Sequence, residues 1–182
     1  MVRVGDSSMD RDRDSVGLVR DRMASLYRET WPSVYRYAVV LLQHREDAED
    51  VASEAFTRAY AAWSKGHGPR GDALPWLLLI ARRIITDRRR RRRLIAWLPL
   101  SGDRAATDQA AASALETVEV WLWFERFSQA LPERQREALI LRYQFDLPDE
   151  AIGEVMGLSQ AGVRTLVSRA LASLRRQPEV LT

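Results

Sequence analysis

The stretch Asp149-Glu150-Ala151-Ile152-Gly153-Glu154-Val155-Met156-Gly157-Leu158-Ser159-Gln160-Ala161-Gly162-Val163-Arg164-Thr165-Leu166-Val167-Ser168-Arg169 is the most informative in the chain. Ile152, Gly153 and Met156 precede Gly157, and Leu158, Val163 and Leu166 follow it. Two helices that meet at a tight turn need a small residue where they approach, a glycine at the turn and apolar side chains on both inner faces. The spacing supplies all three. Ser159 is placed to cap the second helix, from which Arg164, Thr165, Ser168 and Arg169 project. An ordinary helical hairpin would satisfy the same apolar pattern. Charge separates the two readings. Residues 158–176 hold four arginines and no acid, beside an acidic preceding helix, which favours a helix-turn-helix that meets DNA.

The surrounding block, about Val120 to Arg176, is helical throughout. Trp121, Leu122, Phe124, Phe127 and Leu131 give one apolar face, Leu131-Pro132-Glu133 reads as a break and restart, and Ala138, Leu139, Leu141 and Arg142 continue a helix. Asp149-Glu150 sits at a helix start with no His, Lys or metal ligand beside it, so capping is its expected work. Upstream, residues 94–119 carry Pro99, Ser101, Gly102 and a small-residue run, with one arginine against four acids. They read as a linker.

Residues 19–97 return to helical spacing. Leu26, Trp31, Val34, Tyr35, Ala38, Val39 and Leu42 recur at three- and four-residue spacing, and Pro32 predicts a break or a fresh helix start near Trp31. A second helix is expected over about 46–64, with the stripe Val51, Ala52, Ala55, Phe56, Ala59, Tyr60 and Trp63. Residues 65–72 form a Gly/Pro loop, and a third helix starts near Leu74 with Pro75 in its first turn. Residues 1–19 are a charge-alternating polar tail. Strand alternation is absent. The expected fold is all-α, with a tail (1–19), a helical domain (20–97), a flexible linker (98–119) and a second helical domain (120–178) containing the helix-turn-helix.

Composition narrows the function. The 182 residues contain no cysteine, so thiolate catalysis and Cys-ligated metals are excluded. His44 and His67 have no ligand spacing. Of 28 basic residues only Lys65 is lysine, and no Gly-Lys-Ser/Thr phosphate loop exists. No nucleophile–base constellation is visible, so no catalysis and no cofactor are expected. The longest apolar run, 74–81, falls far short of the roughly 20 residues a spanning helix needs, and no signal-peptide core opens the chain. No membrane insertion is expected, and the default location is the cytoplasm.

The net charge of +3 conceals a segregated pattern. Residues 82–93 hold eight arginines and one aspartate. A helix C-terminus accounts for two or three of these through its dipole, but six in succession repel one another and gain most from phosphate neutralisation. Residues 43–56 hold five acids and one arginine. Acids favour a helix N-terminus, and they equally suit a docking face for a basic partner, with Asp50 and Glu54 one turn apart.

Together these pieces resemble the extracytoplasmic-function (ECF) group of bacterial sigma factors, the smallest members of the sigma-70 family. Asp47-Ala48-Glu49-Asp50-Val51-Ala52-Ser53-Glu54 is similar to the family's acidic motif, which docks on the polymerase β′ coiled coil. Ala73-Leu74-Pro75-Trp76-Leu77 through Arg82-Arg83 and Asp87-Arg88-Arg89-Arg90 is similar to its −10 recognition and melting segment. Leu131-Pro132-Glu133-Arg134-Gln135-Arg136-Glu137 through Arg142, with Ile152 through Arg169, is similar to its −35-binding domain. Ser53 stands where the family often has Gln, Arg83 where it has Asn, and Gly153 where it has Ala. Ala161-Gly162, Leu166 and Leu171 also depart from the usual pattern.

The resemblance implies a promoter-selecting factor for RNA polymerase. Core docking would fall to Asp47, Glu49, Asp50 and Glu54, on the β′ and β subunits. Trp76, Arg82, Arg83, Arg88, Arg89 and Arg90 would meet −10 DNA, and the 65–72 loop would capture an unstacked base. Trp63 and Trp76 either stack on DNA or belong to the core. Arg142, Ser159, Gln160, Arg164, Thr165, Ser168 and Arg169 would meet −35 DNA. An anti-sigma factor is expected as a further partner. Residues 94–119 span at most roughly 90 Å extended, against about 70 Å for the two DNA turns between the promoter elements. The competing reading is a stand-alone helix-turn-helix regulator, which would need neither the acidic helix nor the arginine run.

Overall fold

The computed structural model describes residues 7–96 and 131–176, with side chains from 19–94 and 131–176. The expected linker at 98–119 and the apolar face at 121–130 lie outside them. Among the described residues there are six α-helices and one π-helical turn, and no strand. They are α1 (Ser7–Leu42), α2 (Arg45–Trp63), α3 (Ala73–Ala96), α4 (Glu133–Leu139), the π-turn Ile140–Gln144, α5 (Asp149–Met156) and α6 (Gln160–Arg175).

Helix α1 corrects the expected break: it runs unbroken through Pro32 and begins at Ser7, inside the segment read as a tail. A proline inside a helix forfeits one hydrogen bond and crowds the preceding turn, at a cost of about 3 kcal/mol. Packing on both sides offsets this. Tyr27, Trp31 and Phe56 form an aromatic cluster with centroids 4.8–5.7 Å apart. Val34, Tyr37, Ala38 and Leu41 follow at helical spacing and are all buried, each large one worth about 1.5–3 kcal/mol.

The chain reverses at Gln43, whose φ of 55° is left-handed. His44 caps α2 by accepting the Asp47 amide on Nδ1 at 3.3 Å, so this histidine is occupied by structure. The inner stripe of α2 is Ala48, Val51, Ala52, Ala55, Phe56 and Ala59. Four alanines let α1 and α2 approach closely. Asp72 caps α3 by accepting the Leu74 amide at 3.0 Å, and Pro75 falls in the first turn, where its missing N–H costs nothing. Leu77, Leu78, Ala81, Ile84 and Ile85 close a three-helix unit.

In the C-terminal unit α4 loosens into the π-turn, with the Phe145 amide reaching Ile140 O and the Leu147 amide reaching Leu141 O. The wider turn keeps Ile140 and Leu141 buried while Arg142 faces α5. Gly157 ends α5 in the left-handed conformation, φ 66°, and Ser159 caps α6 by accepting the Gly162 amide at 3.1 Å. The two units are not separate: α4 packs against α1, and α5 against α3.

Candidate nucleic-acid interface

The acidic face and the arginine run, distant in sequence, form one clasp between α2 and α3. Arg88 meets Glu54 at 2.9 Å and Asp50 at 3.8 Å. Arg92 grips both oxygens of Asp47, at 2.7 and 2.9 Å. Arg58 adds a second cation to Glu54 at 2.6 Å. Partial burial alone would raise the Glu54 pKa, but Arg88 and Arg58 together outweigh it and hold the carboxyl below its usual range. Two of the run's eight arginines are therefore neutralised on α2. Glu49 stays exposed, and Asp50 is largely so.

The other arginines divide sharply. Arg83 and Arg90 are exposed, with no ion pair among the described residues. Arg82 and Arg89 instead reach the C-terminal unit. Arg82 Nε donates to Glu137 Oε1 at 2.7 Å, and Arg89 pairs with Glu133 and donates to the Leu41 carbonyl. Glu137 is 2% exposed, and its Oε1 also accepts the Tyr37 hydroxyl at 2.6 Å. Burial, reinforced by Glu137, pushes the Tyr37 phenol well above its ordinary range. A carboxylate this buried needs both donors, since stranding one member of a buried pair costs about 3–5 kcal/mol.

Trp63 and Trp76 resolve as partners of each other, edge to face at 6.2 Å, and both are half-buried against the core. Gly68 lies so close to the Trp63 ring that a β-carbon there would come within 2.6 Å of it. The loop thus rests on the indole, leaving His67 exposed.

On α6, Gln160, Arg164, Thr165, Ser168 and Arg169 are exposed, on the side away from buried Val163, Val167 and Ala170. Thr165 donates back to the Ala161 carbonyl at 2.9 Å, and Ser159 is spent on the cap. Arg142, Arg164, Val167, Ser168, Leu171 and Arg175 line a shallow hollow of about 270 Å³. Asp149 departs from the capping expected of it. It makes no side-chain cap bond but pairs with Arg142 and, at 3.6 Å, with Arg164. This holds two candidate phosphate ligands on one wall.

Sequence reasoning did not single out Tyr37, Glu133, Glu137, Arg92 or Arg175. Glu137 carried one faint signal, an acid directly before the buried run Ala138–Leu141. Among the described residues no cluster of three or more metal-binding side chains exists, and no helix is long and apolar enough to cross a membrane.

Comparison with known proteins agrees with this layout. Residues 26–95 match the sigma-70 region 2 model and residues 121–174 the sigma-70 region 4 model. A probable RNA polymerase sigma factor, RfaY of Xanthomonas campestris, is 34% identical over 154 residues, covering 80% of this chain and 37% of that protein. The ECF sigma factor SigM of Bacillus subtilis is 28% identical, covering 82% of this chain and 91% of the relative. Among solved structures, the sigma factor RpoE of Bartonella quintana, crystallised with the anti-sigma factor NepR, shares the fold. It has a TM-score of 0.67 at 22% identity, covering 87% of this chain and 95% of that one. With regions 2 and 4 present in order and curated relatives of one kind, the chain belongs to the ECF group of the sigma-70 family of RNA polymerase sigma factors.

Proposed function

We propose that this chain works in the cytoplasm, binding core RNA polymerase and directing promoter-specific initiation through −10 and −35 contacts, with no catalytic step of its own. The exposed acids of α2, Glu49 and Asp50 foremost, dock on the polymerase β′ coiled coil, with Asp47 and Glu54 joining as their internal partners exchange. Arg83 and Arg90 take −10 backbone phosphates, joined by Arg82, Arg88 and Arg89 once these leave their carboxylates. Trp76 shapes the pocket beneath the 65–72 loop. Arg164, Thr165, Ser168 and Arg169 read −35 DNA, with Arg142, Gln160 and Ser159 at the margin of that surface. An anti-sigma factor holds the protein in reserve.

One observation carries the reading most directly. The acid-free outer face of α6 occurs in the same chain as a second helical unit bearing both an acidic face and an arginine run. A stand-alone regulator has no use for the second unit.

The test is binding to purified core polymerase by wild type and by a Glu49→Arg, Asp50→Arg variant. Both positions are exposed, so the fold should survive. Tight wild-type binding, lost in a variant of unchanged helicity and melting temperature, is expected. Absence of wild-type binding, with tight binding of a duplex operator by the free protein, would replace this reading with the stand-alone regulator.

A further inference from the structure

We propose that Arg175, in the last turn of α6, is a DNA ligand: with Arg142 it straddles two neighbouring phosphates of one strand and so fixes how deep α6 sits in the groove. The inference deepens the −35 reading above and rests on it.

Spacing puts Arg175 on the right face. Arg164, Ser168, Leu171 and Arg175 follow one another at helical intervals and form one stripe of α6. All four line the hollow beside that helix, and Arg142 joins them from the π-turn. The three guanidinium groups have one carboxylate among them, Asp149, and it is committed to Arg142 and Arg164. Arg175 is exposed and has no ion pair among the described residues. The hollow therefore keeps an uncompensated cation at the end farthest from Asp149.

The size of the hollow narrows the ligand. At about 270 Å³ it is smaller than the roughly 300–1,000 Å³ of sites that engulf a small molecule. It suits a phosphate of a chain that continues past it on both sides. Val167 and Leu171 give it an apolar floor, which packs against sugar carbons and offers a free hydrated anion nothing.

Length makes phosphate, not base, the target. A recognition helix meets base edges with its first turns. Arg175 lies eleven residues past Arg164, about 16 Å further along the axis. A helix entering by its N-terminus has left a major groove about 8.5 Å deep well before that point, so its last turn lies over the backbone. There a guanidinium forks onto phosphate oxygens and sets register without reading sequence. A basic residue in a last turn also complements the helix dipole. Arg176 serves that purpose equally at the C-cap, but it reaches Ser173 at 3.5 Å and takes no part in lining the hollow. The dipole alone gives the two arginines the same role, whereas the hollow distinguishes them.

The test uses full-length protein on core polymerase to select a duplex from a randomised pool. The selected duplex is then made with each phosphate in turn replaced by an uncharged methylphosphonate. Two neighbouring replacements on one strand should each weaken wild-type binding about tenfold. In Arg175→Ala one of the two should become silent, and the salt slope of binding should fall by about 0.9, with base preference unchanged. Arg142→Ala should silence the neighbouring position instead. Arg175→Lys should restore the slope, and Arg176→Ala should change neither the map nor the slope. Arg175 and Arg176 are both exposed, so helicity should match wild type throughout. An unchanged phosphate map in Arg175→Ala overturns the proposal. So does an equal loss of slope in Arg176→Ala, a changed base preference, or a silenced position remote from that of Arg142. Each of these leaves the promoter reading standing, because a duplex was still selected. A pool from which wild type enriches no duplex sinks the promoter reading, and the Arg175 contact with it.

Discussion

The Leu158 carbonyl oxygen lies 2.6 Å from where a β-carbon on Gly153 would stand, and the Leu158 amide in turn donates to the Gly153 carbonyl at 2.9 Å. Glycine is what lets α5 and the start of the turn into α6 meet. In a free helix, Gly→Ala gains about 1 kcal/mol. Here the added carbon meets backbone, which cannot rotate away, and overpacking of this kind costs about 1–3 kcal/mol. The overpacking wins. Gly153→Ala should lower the denaturation midpoint of the C-terminal unit and weaken −35 duplex binding, although alanine is the family's usual residue there. Chemical denaturation followed by helical circular dichroism checks the sign; a stabilised variant would show that the turn relaxes freely.

Tyr37 gives the contact between α1 and α4 an alkaline limit. Its phenol is raised well above the ordinary value of 10.0, by burial first and by Glu137 second. A raised pKa means the protonated form is favoured in the folded state. Its contribution is fully present below about pH 10 and is lost as pH rises through the higher folded value. Raising the pH should therefore loosen α1 from α4 before the three-helix unit melts. In a Tyr37→Phe variant that late phenolate step should be missing from the absorbance titration. The same late step persisting in Tyr37→Phe would assign it to another tyrosine.

Arg142 and Asp149 join the π-turn to α5, and the Nε of Arg142 is buried without a partner. Asp149→Asn leaves that guanidinium half-buried beside a neutral amide, and losing a hydrogen bond to a charged group costs about 1.5–3 kcal/mol. Arg142→Ala removes the cation altogether. It should reduce the salt slope of −35 duplex binding by about 0.9, one phosphate contact, with little change in which sequence is preferred. Fluorescence anisotropy across a salt series separates the two effects. A changed preference with an unchanged slope would instead make Arg142 a base reader.

The sequence carried the local structure and missed the pairings. The α2 and α3 boundaries, the helix start after Pro132 and the turn at Gly157 were legible because caps, prolines and glycines act within a few residues. Pro32 misled because its penalty is local, whereas the Tyr27–Trp31–Phe56 cluster that offsets it closes across α1 and α2. The acidic face and the arginine run were visible as charge. Their mutual neutralisation at Glu54–Arg88 and Asp47–Arg92 was not, since nothing in a charge count says which side chains face each other. Glu137 was hidden for the same reason, its two donors lying 100 and 55 positions away.

The clasp at Glu54 should make the α2–α3 pairing sensitive to acid. Two arginines hold this carboxyl below its usual pKa of 4.5, against a burial effect of opposite sign. A depressed pKa stabilises the folded state above the unfolded value, and that contribution is lost as pH falls through the folded one. Unfolding of the N-terminal unit should therefore accelerate below about pH 4. Glu54→Gln should flatten the dependence in that window and leave the neutral-pH fold intact, because the site is partly open to water and screened. The same variant leaves Arg88 only its 3.8 Å contact with largely exposed Asp50, so its affinity for single-stranded DNA at neutral pH should rise. The pH profile of tryptophan fluorescence, beside the oligonucleotide titration, tests both. An unaltered acid profile together with unaltered DNA affinity would mean that Arg58 and Arg88 hold Glu54 too weakly for the clasp to matter.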